Sequence, residues 1–178
     1  NIQRMQVLVN HRREQQYDKL DKLVLLLKRE CDTHDIWGRL QTDEHKHTSG
    51  ETHRALKEIK LICHRRREVL KFDEDFEPDR IIQDILRNLG CFDVCIKVIQ
   101  LLETIDPHTP NSDQSKNTRT LALEASELLY WFVLGNEQNQ ALAYKHISFF
   151  MRHIDAKVML HKVLSAIFYN NEFLMKSV

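Results

Sequence analysis

The chain has 178 residues, of which 42% are hydrophobic, and its 26 basic and 26 acidic residues cancel to a formal net charge of zero. That length and apolar content suit one domain with a buried core, and zero net charge excludes a general electrostatic pull toward nucleic acid or anionic membranes. Only four glycines and three prolines interrupt the sequence. Few interruptions of this kind are expected of long helices. No run approaches the ~18 apolar residues of a membrane-spanning helix, so the sequence predicts a soluble chain.

The first half of the chain predicts two amphipathic helices. From Glu14 to Ile36, apolar residues recur at three- and four-residue steps, the spacing that places side chains on one helical face. A matching stripe runs from Thr52 to Phe72, so the two helices are predicted to pack as a pair. The polar segment between them, residues 38–50, has no apolar period and is predicted to be an exposed, mobile insertion.

A basic tract and an acidic tract lie close together near the end of the second predicted helix. Arg65, Arg66 and Arg67 are followed by the acidic run from Asp73 to Asp79. Because the two tracts cancel much of each other's field beyond a Debye length of about 8 Å, the arginines are poor candidates for binding nucleic acid or anionic lipid. They are assigned to a solvated helix face or to an interdomain contact.

Two short helices are predicted on either side of a glycine. The block that begins at Ile85 is predicted to be a helix ended by Gly90, because glycine accepts the left-handed backbone that closes a helix. The next helix carries apolar residues at helical spacing as far as Ile105. Two prolines and several side-chain acceptors between Asp106 and Asp113 then predict a loop.

The second half predicts a buried helix and two further helices. From Thr118 to Leu134 the sequence is densely apolar, with small residues that allow close helix packing. Gly135 is predicted to close this helix and Asn136 to cap the next, which is marked by apolar residues between 141 and 150. A last helix is predicted from near Asp155 to Asn171. The candidate structural junctions are Gly90, Gly135 and Asn136.

Catalytic and metal-binding patterns are missing from the sequence. The four cysteines fall inside predicted helices, which favours a reducing compartment and buried packing over disulfides. Cys91 and Cys95 lie one turn apart, and their oxidation is the alternative if they are exposed. His45, His47 and His53 lack the paired spacing of zinc sites, and no phosphate loop or nucleophile elbow is present. No enzymatic activity, cofactor or metal is therefore predicted.

Four phrases occur in a fixed order along the second half. They are Leu86-Arg87-Asn88-Leu89-Gly90, Val98-Ile99-Gln100-Leu101-Leu102, Gly135-Asn136-Glu137-Gln138-Asn139-Gln140-Ala141-Leu142 with Lys145-His146-Ile147, and Tyr169-Asn170-Asn171-Glu172-Phe173. This order resembles the helical homology domain, the RIH domain, shared by inositol trisphosphate receptors and ryanodine receptors. The resemblance implies an armadillo-like α-solenoid of stacked helical hairpins, with residues 1–178 as a single domain. The helical period of the apolar residues in both halves likewise predicts an all-α chain without a β-sheet.

The resemblance extends more weakly into the first half. Residues 17–23 and 35–37 are similar to the helix and tryptophan upstream of this domain in inositol trisphosphate receptors, which favours that branch. The copy that binds ligand in this family follows a basic cluster and a β-trefoil. Here the approach is the acidic run from Asp73 to Asp79, which would repel phosphate. The resemblance therefore implies the later, regulatory copy, and inositol trisphosphate is not expected to bind this segment alone.

The resemblance also implies a function and a location. The segment would be a cytosolic regulatory domain of an intracellular ligand-gated calcium release channel, at the cytoplasmic face of the endoplasmic or sarcoplasmic reticulum, coupling ligand-binding domains to the pore. Its expected partners are other domains and subunits of a tetrameric channel, with no nucleic acid and no membrane insertion of this segment. The alternatives are the corresponding domain of a ryanodine receptor and a free-standing armadillo adaptor that binds a peptide.

Overall fold

The computed structural model describes the backbone of residues 2–32, 43–66 and 76–176, and the side chains of residues 14–31, 50–63 and 77–176. The helices are α1 (Ile2–Asp32), α2 (Asp43–Cys63), α3 (Arg80–Asn88), α4 (Cys91–Gln100), α5 (Asp113–Val133), α6 (Glu137–Tyr144), α7 (Ile147–Arg152), α8 (Leu160–Phe168) and α9 (Glu172–Met175). Two strands, β1 (His64–Arg66) and β2 (Phe76–Pro78), and two 3₁₀-helices, Leu101–Thr104 and Ile154–Ala156, complete the described elements. The predicted all-α class is confirmed.

Helices α1 and α2 pack against each other through the stripes that the sequence predicts. Leu20, Val24 and Leu27 of α1 are buried, as are Leu56 and Ile59 of α2. Burial of each such side chain contributes about 1.5–3 kcal/mol. The paired arrangement of the first two helices therefore follows directly from their apolar periodicity.

The boundaries of this pair differ from the prediction. Helix α2 ends at Cys63 and not at Phe72, because residues 64–66 pair antiparallel with residues 76–78. The expectation of no β-sheet is wrong to that extent, since strand pairing at a distance overrides the local helical pattern. Helix α2 also begins at Asp43, so residues 43–50 of the predicted insertion are helical. Residues 38–42 lie outside the described ranges, and the mobility of the segment stays a prediction.

Helix α5 lies between α2 and α8 and also packs against α4. Ala122, Ala125 and Ser126 are buried on it, as expected of small residues that let neighbouring helices approach closely. On the α4 side, the ring of Phe92 lies against Phe132, with centroids 6.1 Å apart. Helices α5 and α4 contribute the same number of described buried hydrophobic residues, seven each.

The helix predicted across residues 141–150 is two helices, α6 and α7, separated at Lys145 and His146. The break places the His146 ring edge-on to Phe92, with centroids 5.0 Å apart. Likewise, the last predicted helix starts later than Asp155, because Lys157 adopts a left-handed φ of 58° between the second 3₁₀-helix and α8. Within the described residues, no helix combines the length and apolar content needed to cross a membrane.

Candidate functional site

Gly90 joins α3 to α4 in the left-handed conformation that the sequence analysis expects. Its φ is +72°, and its N–H donates to the Arg87 carbonyl at 3.0 Å. A Cβ at this position would lie 3.3 Å from Lys28 Nζ of α1, a close contact in addition to the unfavourable backbone conformation. The junction between the two short helices thus depends on glycine.

Gly135 and Asn136 join α5 to α6. Gly135 has a φ of +67°, and the Asn136 N–H donates to the Val133 carbonyl at 3.1 Å. The Asn136 Oδ1 accepts from the Asn139 N–H at 3.2 Å, which is the expected N-cap hydrogen bond. Both backbone features anticipated at this junction are therefore present.

A buried glutamine of α3 binds the end of α5. The Gln83 side chain is fully buried, and its Nε2 donates to the carbonyl of Trp131 at 2.7 Å and of Leu134 at 3.0 Å. Carbonyl groups at a helix end lack partners within their own helix. The Gln83 Oε1 accepts from Asn136 Nδ2 at 3.3 Å. One side chain therefore ties α3 to the end of α5 and to the start of α6.

Asn139 extends this network. Its Nδ2 donates to the Phe132 carbonyl at 2.8 Å, and its Oδ1 accepts from Arg87 Nη1 at 2.8 Å. Arg87 and Asn136 also donate to Asp84 Oδ1, at 2.8 Å and 3.1 Å. We call this set the amide network: Gln83, Asp84, Arg87, Asn136 and Asn139. Its buried members have hydrogen-bond partners, as low-dielectric packing requires.

A second arrangement of the same kind lies between α6, α8 and α9. The Gln140 Nε2 donates to the carbonyl of Ala166 at 2.9 Å and of Tyr169 at 2.8 Å. The Gln140 Oε1 accepts from Asn171 Nδ2 at 2.9 Å, and Asn171 Oδ1 caps α9 by accepting from the Leu174 N–H at 3.1 Å. Both junctions therefore use a glutamine bound to two carbonyls and to the next cap residue.

Two of the three arginines predicted to contact a neighbouring domain lie on a β-strand. Arg65 and Arg66 lie on β1, opposite Glu77 and Phe76, and not on a helix as predicted, since α2 has already ended. Arg67 lies outside the described residues. The interdomain contact predicted for these three arginines remains a prediction.

An ionic contact joins α2 to α5. Lys60 pairs with Glu124 at 3.2 Å and with Glu127, while Lys57 lies 3.5 Å from Glu124. Burial alone would lower the pKa of Lys60, but the hydrogen bond and charge of Glu127 together with Glu124 outweigh it and raise the pKa. Lys60 is thereby held in its charged form.

The four cysteines are buried thiols that are not joined in disulfides. Burial raises the pKa of the Cys63 thiol, and the hydrogen bond with Cys91 together with burial raises that of Cys95. Because the thiolate is the reactive form, the Cys63 and Cys95 thiols are poor nucleophiles at neutral pH. The condition for oxidation, exposure of Cys91 and Cys95, is not met.

Of the three histidines considered as metal ligands, His53 lies on α2 and faces α5. His53 Nε2 lies 3.2 Å from Asn117 Oδ1, whereas the side chains at positions 45 and 47 lie outside the described set. In the part of the chain whose side chains are described, no group of three or more His, Cys, Asp or Glu residues is placed to hold a metal ion. The side chains at the described junctions are mostly amides, which neither titrate nor act as nucleophiles. Their role is to hold helix ends in place through hydrogen bonds.

Sequence reasoning identified the cap at Asn136 but missed its partners. Gln83 stands beside the buried Ile82 and three residues before the buried Leu86, so a polar residue occupies an apolar helix face. A buried amide must find hydrogen-bond partners. A polar residue on an apolar helix face was therefore the sequence signal for a hydrogen-bonding role, both for Gln83 and for Gln140.

Comparison with known families gives an independent result. A family model described as the RIH domain, the domain of ryanodine and inositol trisphosphate receptors, matches residues 51–178. The matched range covers more than two thirds of the chain and includes both polar junctions. The chain therefore belongs to the RIH domain family of inositol trisphosphate and ryanodine receptors.

Proposed function

We propose that this chain is a cytosolic regulatory domain of an intracellular calcium release channel of the inositol trisphosphate receptor type. It relays motion from the ligand-binding domains toward the pore. The observation that carries the proposal is the pair of amide-bound junctions before α6 and before α9, since each sets the direction of one helix relative to the preceding helices. Its expected setting is the cytoplasmic face of the endoplasmic or sarcoplasmic reticulum.

The proposed mechanism is mechanical. Helix α5 packs against both α2 and α8. We infer that these three helices form successive layers of an armadillo-like solenoid. In such an arrangement each unit contacts its neighbours, so small rotations add along the length. Rigid junctions favour transmission because they prevent each rotation from being absorbed locally.

The assignment to the inositol trisphosphate branch rests on the similarity of residues 17–23 and 35–37 to that branch. Other domains and subunits of a tetrameric channel are the proposed partners, with Arg65, Arg66 and Arg67 as a contact to a neighbouring domain. No catalytic role is proposed. Inositol trisphosphate is not expected to bind the isolated chain, and calorimetry showing micromolar binding would contradict that expectation.

The relay is tested with Asn136→Ala in the full-length channel. Loss of the cap is expected to cost about 1 kcal/mol of helix stability. Ligand-evoked calcium release from microsomes is expected to need a higher ligand concentration, while ligand binding by the receptor is unchanged. Gln138→Ala is the matched control, because it removes an exposed amide from the same helix.

Two results contradict the proposal. One is a variant whose isolated domain is destabilised although its calcium release matches that of the control. The other is a full-length reading frame without a β-trefoil upstream or membrane helices downstream, which would favour a free-standing adaptor.

A further inference from the structure

Three helix starts share one pattern of burial. Helices α3, α6 and α9 follow the cap residues Asp79, Asn136 and Asn171, whose side chains all accept from backbone N–H groups of the first turn. In each case the cap is buried, the next two residues are exposed and the third is buried. The fourth is the buried Gln83 or Gln140 in the first two helices. These helix starts therefore occupy equivalent positions of a structural repeat.

The hydrogen bond that precedes each start is equivalent as well. Each cap residue donates its backbone N–H to the carbonyl of the last residue of the preceding long helix, α2, α5 or α8. The pairs are Asp79 with Cys63 at 2.9 Å, Asn136 with Val133 at 3.1 Å and Asn171 with Phe168 at 3.2 Å. The end of one helix and the start of the next are thus held together in the same way three times.

In two of the three junctions the connection is only two residues long. Leu134 has φ −53° and ψ 113°, and Tyr169 has φ −62° and ψ 117°. Each is followed by a left-handed residue, Gly135 with φ 67° and Asn170 with φ 52°. These angles and the closing bond are those of a type II β-turn, which favours glycine or asparagine as its third residue.

In the remaining junction the same closing bond is spanned by residues 64–78. The chain leaves Cys63 and returns to Asp79 as two paired strands, with His64 opposite Pro78 at their base. The strands contact each other, and β1 contacts α2. The helices on either side are therefore positioned as a two-residue turn would position them.

We propose that residues 64–78 are an insertion into a repeated two-residue junction, and that the repeat units of this chain end at Cys63, Val133 and Phe168. The inference rests on the described residues at both ends of the segment, 63–66 and 76–83. The described ends of the segment, β1 and β2, pair with each other, and the helical core does not need the segment in order to fold. Arg65 and Arg66 are then not needed for folding of the helical core, and any role that they have is in an interaction with another molecule or domain.

The test replaces residues 64–78 with Leu-Gly, the linker of the second junction, in the full chain. The variant is expected to unfold cooperatively, with a Tm within about 10 °C of the parent and with unchanged far-ultraviolet helical signal per helical residue. A second variant carries Tyr-Asn, the linker of the third junction, and is expected to behave in the same way. Neither measurement depends on channel activity, so this inference and the proposed function can fail separately.

The matched control carries Val-Val in place of Leu-Gly. A β-branched residue in the left-handed position is expected to lower the Tm by about 2–8 °C relative to the Leu-Gly variant. The insertion model is overturned if both native linkers give chains that unfold without cooperativity or melt more than about 10 °C below the parent. It is also overturned if the Val-Val variant melts as high as the Leu-Gly variant, because the junction would then not be a type II turn.

Discussion

The junction before α6 and the junction before α9 are built from the same parts but lie in different surroundings. In the first, Asn139 and Arg87 add hydrogen bonds around Gln83, and the linker is half-buried. In the second, Tyr169 and Asn170 of the linker are exposed. Water can replace a lost hydrogen bond more readily at the exposed Tyr169 than at the half-buried Leu134, so we expect the bond to the linker to contribute more to stability at the first junction.

The largest expected loss of stability comes from replacing the junction glutamines, and it differs between Gln83 and Gln140. Gln83→Leu leaves the carbonyls of Trp131 and Leu134 without that donor, and we expect it to cost about 3 kcal/mol of unfolding free energy. Gln140→Leu is expected to cost about 1–2 kcal/mol, because water can reach the Tyr169 carbonyl. Chemical denaturation of both variants measures the difference. Equal costs would remove the distinction between the two junctions, and Gln138→Leu, at an exposed position, serves as the control.

A smaller effect is expected at the left-handed residues. Gly135→Val is expected to cost about 2 kcal/mol, since a Cβ there would meet nothing closer than Arg80 Nη2 at 3.5 Å and the cost is backbone strain. Asn170→Val is expected to cost about 1 kcal/mol, because the native residue already carries a Cβ in the left-handed region. Thermal melts provide the comparison.

Gly50→Val is the control for both substitutions. Gly50 lies in α2, and a Cβ at this position would meet nothing within 4 Å. Valine has the higher helix propensity, so this change is expected to be neutral or slightly stabilising. A cost at Gly50 equal to that at Gly135 would show that the left-handed backbone is not the cause.

The smallest expected effect is a pH dependence of stability, which the ionic contact of α2 with α5 should show and the two amide junctions should not. Since the pKa of Lys60 is raised in the folded state, its contribution to stability is fully present below the unfolded pKa of about 10.5 and is lost as pH rises through the folded pKa. The stability difference between the native chain and Lys60→Met should therefore stay constant at neutral pH and shrink above about pH 10.5. The difference for Gln83→Leu should show no such change.

Denaturation at pH 8 and at about pH 11.5, on either side of the unfolded value, measures this contrast. Lys57→Met is the control, because Lys57 is exposed and its contact with Glu124 is expected to contribute little. A pH-independent difference for Lys60→Met would mean that the charge of Lys60 does not stabilise the contact.

Much of the secondary structure follows from short-range patterns. The stripe from Leu20 to Leu27 and the small residues of α5 predict buried helix faces because i to i+4 spacing alone decides which side chains share a face. Gly135 and Asn136 are also readable, since a left-handed residue and a cap act within a few residues of the helix end.

Other features depend on partners far away in the chain. The break at Lys145 and His146 brings His146 against Phe92, and the end of α2 depends on strand pairing across the segment 67–75. Neither partner can be inferred from local propensity, because the deciding contact is made only after the helices pack.

The sequence by itself determined the helical class, the apolar faces and the backbone turn at Gly135, since each of these arises from interactions within one or two helical turns. Only the tertiary structure decided what Gln83 does, because its acceptors at Trp131 and Leu134 lie 48 and 51 residues away. The sequence shows that a buried amide needs hydrogen-bond partners, but it does not identify them. The packing of α3 against the end of α5 determines which carbonyls accept from Gln83.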